Sequence, residues 1–129
     1  MQSKSKNKLK FVGTYYAGYD QIQVFLREGD GGEFWFCPED GALSRIKVGA
    51  DQEIWRDVLS TLVHEIFEFL LTKHGFRYLH SELVRGDHDA YQFFFSHSKF
   101  SEICYYVACF LAACAPDIQK AWIKWNKKK

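Results

Sequence analysis

The sequence has no C-x-x-C pair, no G-x-S-x-G elbow, no glycine loop followed by a lysine-bearing helix, and no apolar run long enough to cross a bilayer. Each absence removes a class of function. The four cysteines are Cys37, Cys104, Cys109 and Cys114, and the last three recur every five residues. At about 3.6 residues per turn this spacing scatters them around a helix, so they cannot share one metal. They are expected to be reduced, buried, small hydrophobes in a reducing compartment. Apolar surroundings would also raise a thiol pKa, which argues against a cysteine nucleophile, and no serine elbow is present. The glycines at 29, 31 and 32 read as a turn, since neither the helix nor the lysine of a phosphate-binding loop follows. The longest apolar run, 103–115, falls short of the roughly 20 residues needed to span a membrane and reads as a core helix. Residues 1–8 are polar and basic with no apolar stretch of the signal-peptide kind behind them. A soluble, cytoplasmic protein without membrane attachment is therefore expected.

Positive charge is scarce in the body of the chain. Eight of the seventeen lysines and arginines are lysines near the two ends, which leaves nine cations among sixteen acids that all lie between Asp20 and Asp117. An acidic body argues against a broad nucleic-acid-binding face, because phosphate contacts need clustered Lys and Arg. The basic ends are expected to be solubilising, frayed tails at 1–8 and 127–129 that flank one domain over 9–126.

What the chain does have is apolar and aromatic mass, 47% and 18% of its 129 residues. That suffices for one well-packed core. Segments 9–19 and 21–27 are aromatic and β-branched and read as a hairpin. Segments 33–37 and 42–48 read as two more strands, separated by turn clusters at 28–32 and 38–41. Asp51 is a suitable N-cap for a long helix that ends at Lys73 or His74 before Gly75, with Glu53 in its positive first turn. Segments 76–83 and 90–96 read as a second hairpin around a polar turn at 85–89. Ser98 can cap a helix that is apolar nearly all round as far as Ala115, and Pro116 suits the first turn of a last helix over 117–125. The expectation is an α+β domain: an N-terminal antiparallel β-meander, a long amphipathic central helix, a second hairpin and buried C-terminal helices.

The central helix carries the candidate chemistry. Its apolar arc holds Trp55, Val58, Leu59, Leu62, Val63, Ile66, Phe69 and Leu70. Asp57, Thr61, His64, Glu65, Glu68 and Thr72 share another face with no Lys or Arg among them. Such a stripe can be the solvent side of an ordinary amphipathic helix, although surface helices commonly mix charge signs. It can also be a site: His64 and Glu68 are one turn apart, so an imidazole and a carboxylate can converge on one divalent ion, with Glu65 adjacent.

His64 and Glu65 at the start of His64-Glu65-Ile66-Phe67-Glu68, on a helix that follows a strand, resemble the H-E-x-x-H helix of the zincin metallopeptidases. In that family the two histidines bind zinc and the glutamate is the general base. Here Glu68 stands where the second histidine belongs, and a His-plus-Glu set also suits manganese or iron. The chain is also similar in general character to small phage or prophage proteins. A third ligand is expected first from His97, second from His88 and third from Glu102, each of which has a structural reading as well. His97 can belong to a helix-entry turn, His88 to a solvated turn, and Glu102 to a helix N-terminus. His74 and His80 read as structural.

Two functions follow as expectations. One is a small metal-dependent hydrolase, or a metal-binding relative, with His64, Glu68 and His97 or His88 as ligands and Glu65 as base toward a metal-activated water. The other is a non-catalytic inhibitor or adaptor that presents Tyr15, Tyr16, Tyr19, Trp35 or Trp125 to a protein or peptide partner.

Overall fold

The computed structural model describes residues 8–35, 43–74, 77–78, 92–93 and 96–127. Four strands form one mixed sheet: β1 (Leu9–Ala17), β2 (Asp20–Arg27), β3 (Gly32–Trp35) and β4 (Ser44–Gly49). All four stand where the β-branched and aromatic alternation places strands. Their spatial order is β1-β2-β4-β3, with β2 and β4 parallel and the other two pairings antiparallel. The expected meander is thus corrected, because β4 is inserted between β2 and β3.

Insertion is held by the segment between β2 and β3, which arches over the end of β4. Gly29 and Gly31 take φ of 90° and 65°, a conformation glycine adopts without a Cβ penalty. The arch then meets β4 and the residues after it through backbone bonds from Gly49 N to Gly31 O, Ala50 N to Arg27 O and Asp51 N to Gly29 O. Arg27 stiffens the arch from inside, donating to the carbonyls of Glu28 and Asp30 and pairing with Glu33 at 2.7 Å. Gly49 has no room for a side chain: a Cβ there would lie 2.5 Å from Asp30 Cα.

Helix α1 (Trp55–Lys73) begins after Ile54, whose backbone is extended and which makes no side-chain cap. Asp51, expected as the N-cap, is used elsewhere. One carboxylate oxygen accepts the Gly29 N–H at 2.7 Å and the other accepts the Trp125 indole N–H at 3.0 Å. The acid therefore ties the arch to the far end of the chain. Two short antiparallel strands, β5 (Arg77–Tyr78) and β6 (Gln92–Phe93), follow α1 and agree in pairing with the expected second hairpin. The turn expected at 85–89 lies outside the described residues.

Helix α2 (His97–Lys127) replaces two expected helices with one of 31 residues. Ser96 caps its start by accepting the Lys99 N–H. Pro116 lies within it rather than at a new N-terminus. Past the proline the helix is gripped by Tyr15, which donates to Asp117 at 2.7 Å, and by the Trp122 indole, which donates to Gln52 O at 3.1 Å. Tertiary contacts outweigh the local signal to break. Nor is α2 buried all round: Ile103, Val107, Phe110, Cys114, Ile118 and Trp125 form a buried stripe, while Tyr105, Ala108, Cys109 and Ala112 face out. Its most apolar 18-residue window reaches a mean hydropathy of 1.2 with 28% of it buried. By length and composition the helix could cross a membrane, a property that core helices of folded domains also reach.

Both helices pack on one face of the sheet, α1 over β3 and β4 and α2 over β1. Ile22, Val24 and Leu26 of β2 and Ile46 and Val48 of β4 meet Val58, Leu62, Ile66, Phe69 and Phe110 in a single core. At about 25 cal/mol per Å² of apolar surface removed from water, each such side chain contributes roughly 1.5–3 kcal/mol. Among the described residues no element covers the other face.

Candidate functional site

The middle of α1 carries the stripe singled out from the sequence, and the structure divides it. Glu65 is buried, with its side chain 7% exposed, and Glu68 is 17% exposed, while His64 stands out at 65%. Part of the supposed solvent face therefore lies against the sheet. The cause is Gly32 at the start of β3: a Cβ there would approach Thr61 Cγ2 at 2.8 Å and Glu65 Cγ at 3.0 Å, so the glycine lets the edge strand come down onto this side of the helix. Helical periodicity gives the angle of a residue on the cylinder, and the neighbouring strand decides which angles are dry.

His64 Nε2 lies 3.6 Å from Glu68 Oε1 and 4.0 Å from Glu65 Oε2. One imidazole thus sits over two carboxylates on adjacent turns. Burial raises the Glu65 pKa above the ordinary carboxylate value. His64 and Arg27 oppose that shift, while the negative charges of Glu68 and Glu33 add to it. The stripe continues to Thr72, whose hydroxyl oxygen is buried with no hydrogen-bond partner among the described residues.

His97, the first choice for a third ligand, is not brought to this group. The ring contacts Trp55–Trp122 and His74–Tyr106 show that α1 and α2 run antiparallel. His97 precedes Tyr106 by nine residues and His64 precedes His74 by ten, so the two lie on opposite sides of the level at which His74 meets Tyr106. At about 1.5 Å of rise per residue this separates them by on the order of 25 Å along the helices. His97 is an exposed residue of the first turn of α2, in keeping with its helix-entry reading. Glu102 is likewise engaged at that end. It accepts the Tyr106 hydroxyl at 2.9 Å and pairs with Lys99, and these contacts hold its pKa below the ordinary value. His88 and His80 lie outside the described residues. His74 stacks on Tyr106, a structural role as expected. Among the described residues no three His, Cys, Asp or Glu side chains form a group able to hold a metal ion.

The cysteine expectation holds in part. Cys104, Cys109 and Cys114 are free thiols; Cys114 is buried and its pKa is pushed up by desolvation, whereas Cys109 is exposed. Of the aromatics expected at the surface, Tyr16, Tyr19 and Trp35 are exposed. Tyr15 is half-buried against Asp117 and Trp125 is buried against Asp51, so both belong to the framework. Sequence reasoning missed Arg27, whose hydrogen bonds to Glu28, Asp30 and Glu33 organise the arch. Its only signal was its isolation, as the single cation between Lys10 and Arg45.

Comparison with protein-family models, with characterised proteins and with solved structures finds no match to this chain.

Proposed function

We propose that the protein binds a divalent metal on α1 through His64 and Glu68, with Glu65 as the adjacent base, as a zincin-like metalloprotein and small metal-dependent hydrolase. The observation that supports this is the approach of His64 Nε2 to Glu68 Oε1 at 3.6 Å and to Glu65 Oε2 at 4.0 Å, on one side of a helix pressed against β3. Imidazole plus carboxylate suits zinc and also manganese or iron. A bound ion would supply a water of lowered pKa. Glu65 would accept a proton from such a water, and β3 lies close against its stem, since a Cβ at Gly32 would come within 3.0 Å of Glu65 Cγ. With His97 far along α2, the third donor has to come from outside the described residues, where His88 lies.

Metal analysis of the purified protein tests this. Zinc or manganese near one equivalent is expected in the wild-type chain and loss of it in His64→Ala and Glu68→Ala. His88→Ala should weaken binding, and His97→Ala should leave it unchanged. Failure of the wild-type protein to take up either metal on titration would end the reading.

A second reading rests on a separate observation. Phe11, Tyr16 and Trp35 are 49%, 62% and 44% exposed on the uncovered face of the sheet, which suits a non-catalytic binding module of the inhibitor or adaptor kind with a protein or peptide partner.

A further inference from the structure

The register of the four strands fixes which side chains share the uncovered face. One row across the sheet runs Phe11, Phe25, Lys47, Glu33, and the next runs Thr14, Gln23, Arg45, Trp35. Tyr16 and Gln21 begin a third. Same-face residues along a strand are about 7 Å apart, so the rows repeat at that interval. Phe11 and Phe25 have ring centroids 5.3 Å apart, and the Lys47 amine lies 4.7 Å from the Trp35 ring.

Charge on this face differs from that of the body. The only acids in the four strands are Asp20 and Glu33. Asp20 pairs with Lys73 of α1 on the covered side, and Glu33 is taken up by Arg27. Arg45 and Lys47 remain, with Lys47 stacked on an aromatic ring and Arg45 exposed. Further lysines lie around the β1 edge, where Lys8 and Lys10 approach Lys124 of α2. Lys8, Lys10 and Lys124 line one depression with Trp125 on the α2 side of β1, and Lys8 also lines a second, at the edge of the uncovered face, with Arg27, Lys47, Glu28 and Glu33. Lys8 lays its amine over the Trp125 ring at 4.3 Å, so the end of this supposed tail is docked. The acidic body of the chain thus carries, on the uncovered face, two cations set among exposed aromatics.

We infer that the uncovered face of the sheet binds single-stranded nucleic acid, with Phe11, Phe25, Tyr16 and Trp35 as base-stacking platforms and Arg45 and Lys47, with Lys8 at the edge, tracking the phosphates. Stacking on aromatics is tolerant of base identity, since every base has a π-face, and backbone attraction is tolerant of sequence. Arg45 and Lys47 beside these rings are complementary to a phosphate backbone. Exposed rings can stack only on bases that are not already stacked within a duplex, so a single strand is the occupant that fits. This assignment takes the face of the binding-module reading but gives it a different occupant, and it is independent of metal at α1.

The probes are fluorescein-labelled oligo(dT) and oligo(U) of about 12 nucleotides, within the span one such sheet covers, read by anisotropy at low salt. Both should bind, and the Trp35 emission should fall. Trp35→Ala and Phe11→Ala should each weaken binding about tenfold while circular dichroism stays unchanged. Arg45→Ala with Lys47→Ala should reduce the slope of log K against log salt by about 1.4, at roughly 0.7 per phosphate contact. His64→Ala should bind the oligonucleotides as the wild type does, which separates this result from the metal experiment. No binding at low salt overturns the assignment. So does binding lost only with Lys8, Lys10 and Lys124 and indifferent to Trp35→Ala. Self-association, or capture of a protein that the oligonucleotides do not displace, would give the face to another occupant and likewise overturn it.

Discussion

Asp51 and Glu65 are acids on consecutive parts of the chain, one just before α1 and one within it, and both are drawn in among neighbouring elements. The fold uses them in opposite ways. Asp51 is spent on framework: each oxygen accepts one N–H, from Gly29 and from Trp125, and through it the arch, the helix entry and the end of α2 become one unit. Glu65 is buried against β3 beside a histidine 4.0 Å away and a second carboxylate, with its pKa raised. Hydrogen bonds stabilise the charged form of a carboxylate, whereas desolvation near like charge disfavours it. The difference is that between an acid which holds structure together and one which the structure holds in tension, and the second kind is where sites are sought.

The contrast can be broken by substitution, and the framework acid should give the larger effect. Asp51→Ala removes two hydrogen bonds to an ionised acceptor and strands the Trp125 indole N–H, a loss of about 2–4 kcal/mol. Urea denaturation should show a lower midpoint with an unchanged slope, and Asp51→Asn should recover part of it. A wild-type midpoint for Asp51→Ala would mean that the clasp does not contribute. Gly49→Ala tests the same unit from the backbone side. Its Cβ would press on Asp30 Cα at 2.5 Å, so the arch has to lift, at about 1–3 kcal/mol. Because Gly49 and Asp51 act on one arch, the double variant should cost less than the two singles together.

How far such a distinction can be read from sequence depends on what carries it. The four strands and α1 were legible because alternation and a 3.6-residue period are local properties of the chain. Strand order was not, since the insertion of β4 depends on backbone bonds between Gly31 and Gly49 that no side-chain pattern encodes. Asp51 looked like a cap because it is an acid before an apolar-periodic run, and the approach of Gly29 in the arch and of Trp125 on α2 gives it another use. Pro116 looked like a boundary for a similar reason, but Tyr15 and Trp122 hold the helix beyond the expected break. At the candidate site, the shared stripe of His64, Glu65 and Glu68 was legible from spacing. That Glu65 is dry and His64 wet was not, because the difference comes from Gly32 on a distant strand. His97 was expected at the stripe as the end of a strand packed beside α1, but it opens α2, whose antiparallel run takes it the other way.

The smallest expected effect is the most diagnostic. In metal-free protein the folded-state pKa of Glu65 lies above its unfolded value, so between the two the native state binds more protons than the unfolded chain. Stability therefore falls as pH rises through that window, beginning near the ordinary glutamate value of 4.5. Above the window the full cost of the buried charge is present. Glu65→Gln removes the charge and keeps the shape, so it should raise stability at pH 7, by less than either framework variant costs, and leave it nearly unchanged at pH 4. Urea midpoints at the two pH values, with chelator present, read this directly. The opposite sign, a Glu65→Gln variant weaker at pH 7 than at pH 4, would make Glu65 a second Asp51, an acid whose charge the fold relies on. Adding His64→Ala to both backgrounds should widen the gap between the protein that keeps Glu65 and the Glu65→Gln variant, because the imidazole is the group that most opposes the shift.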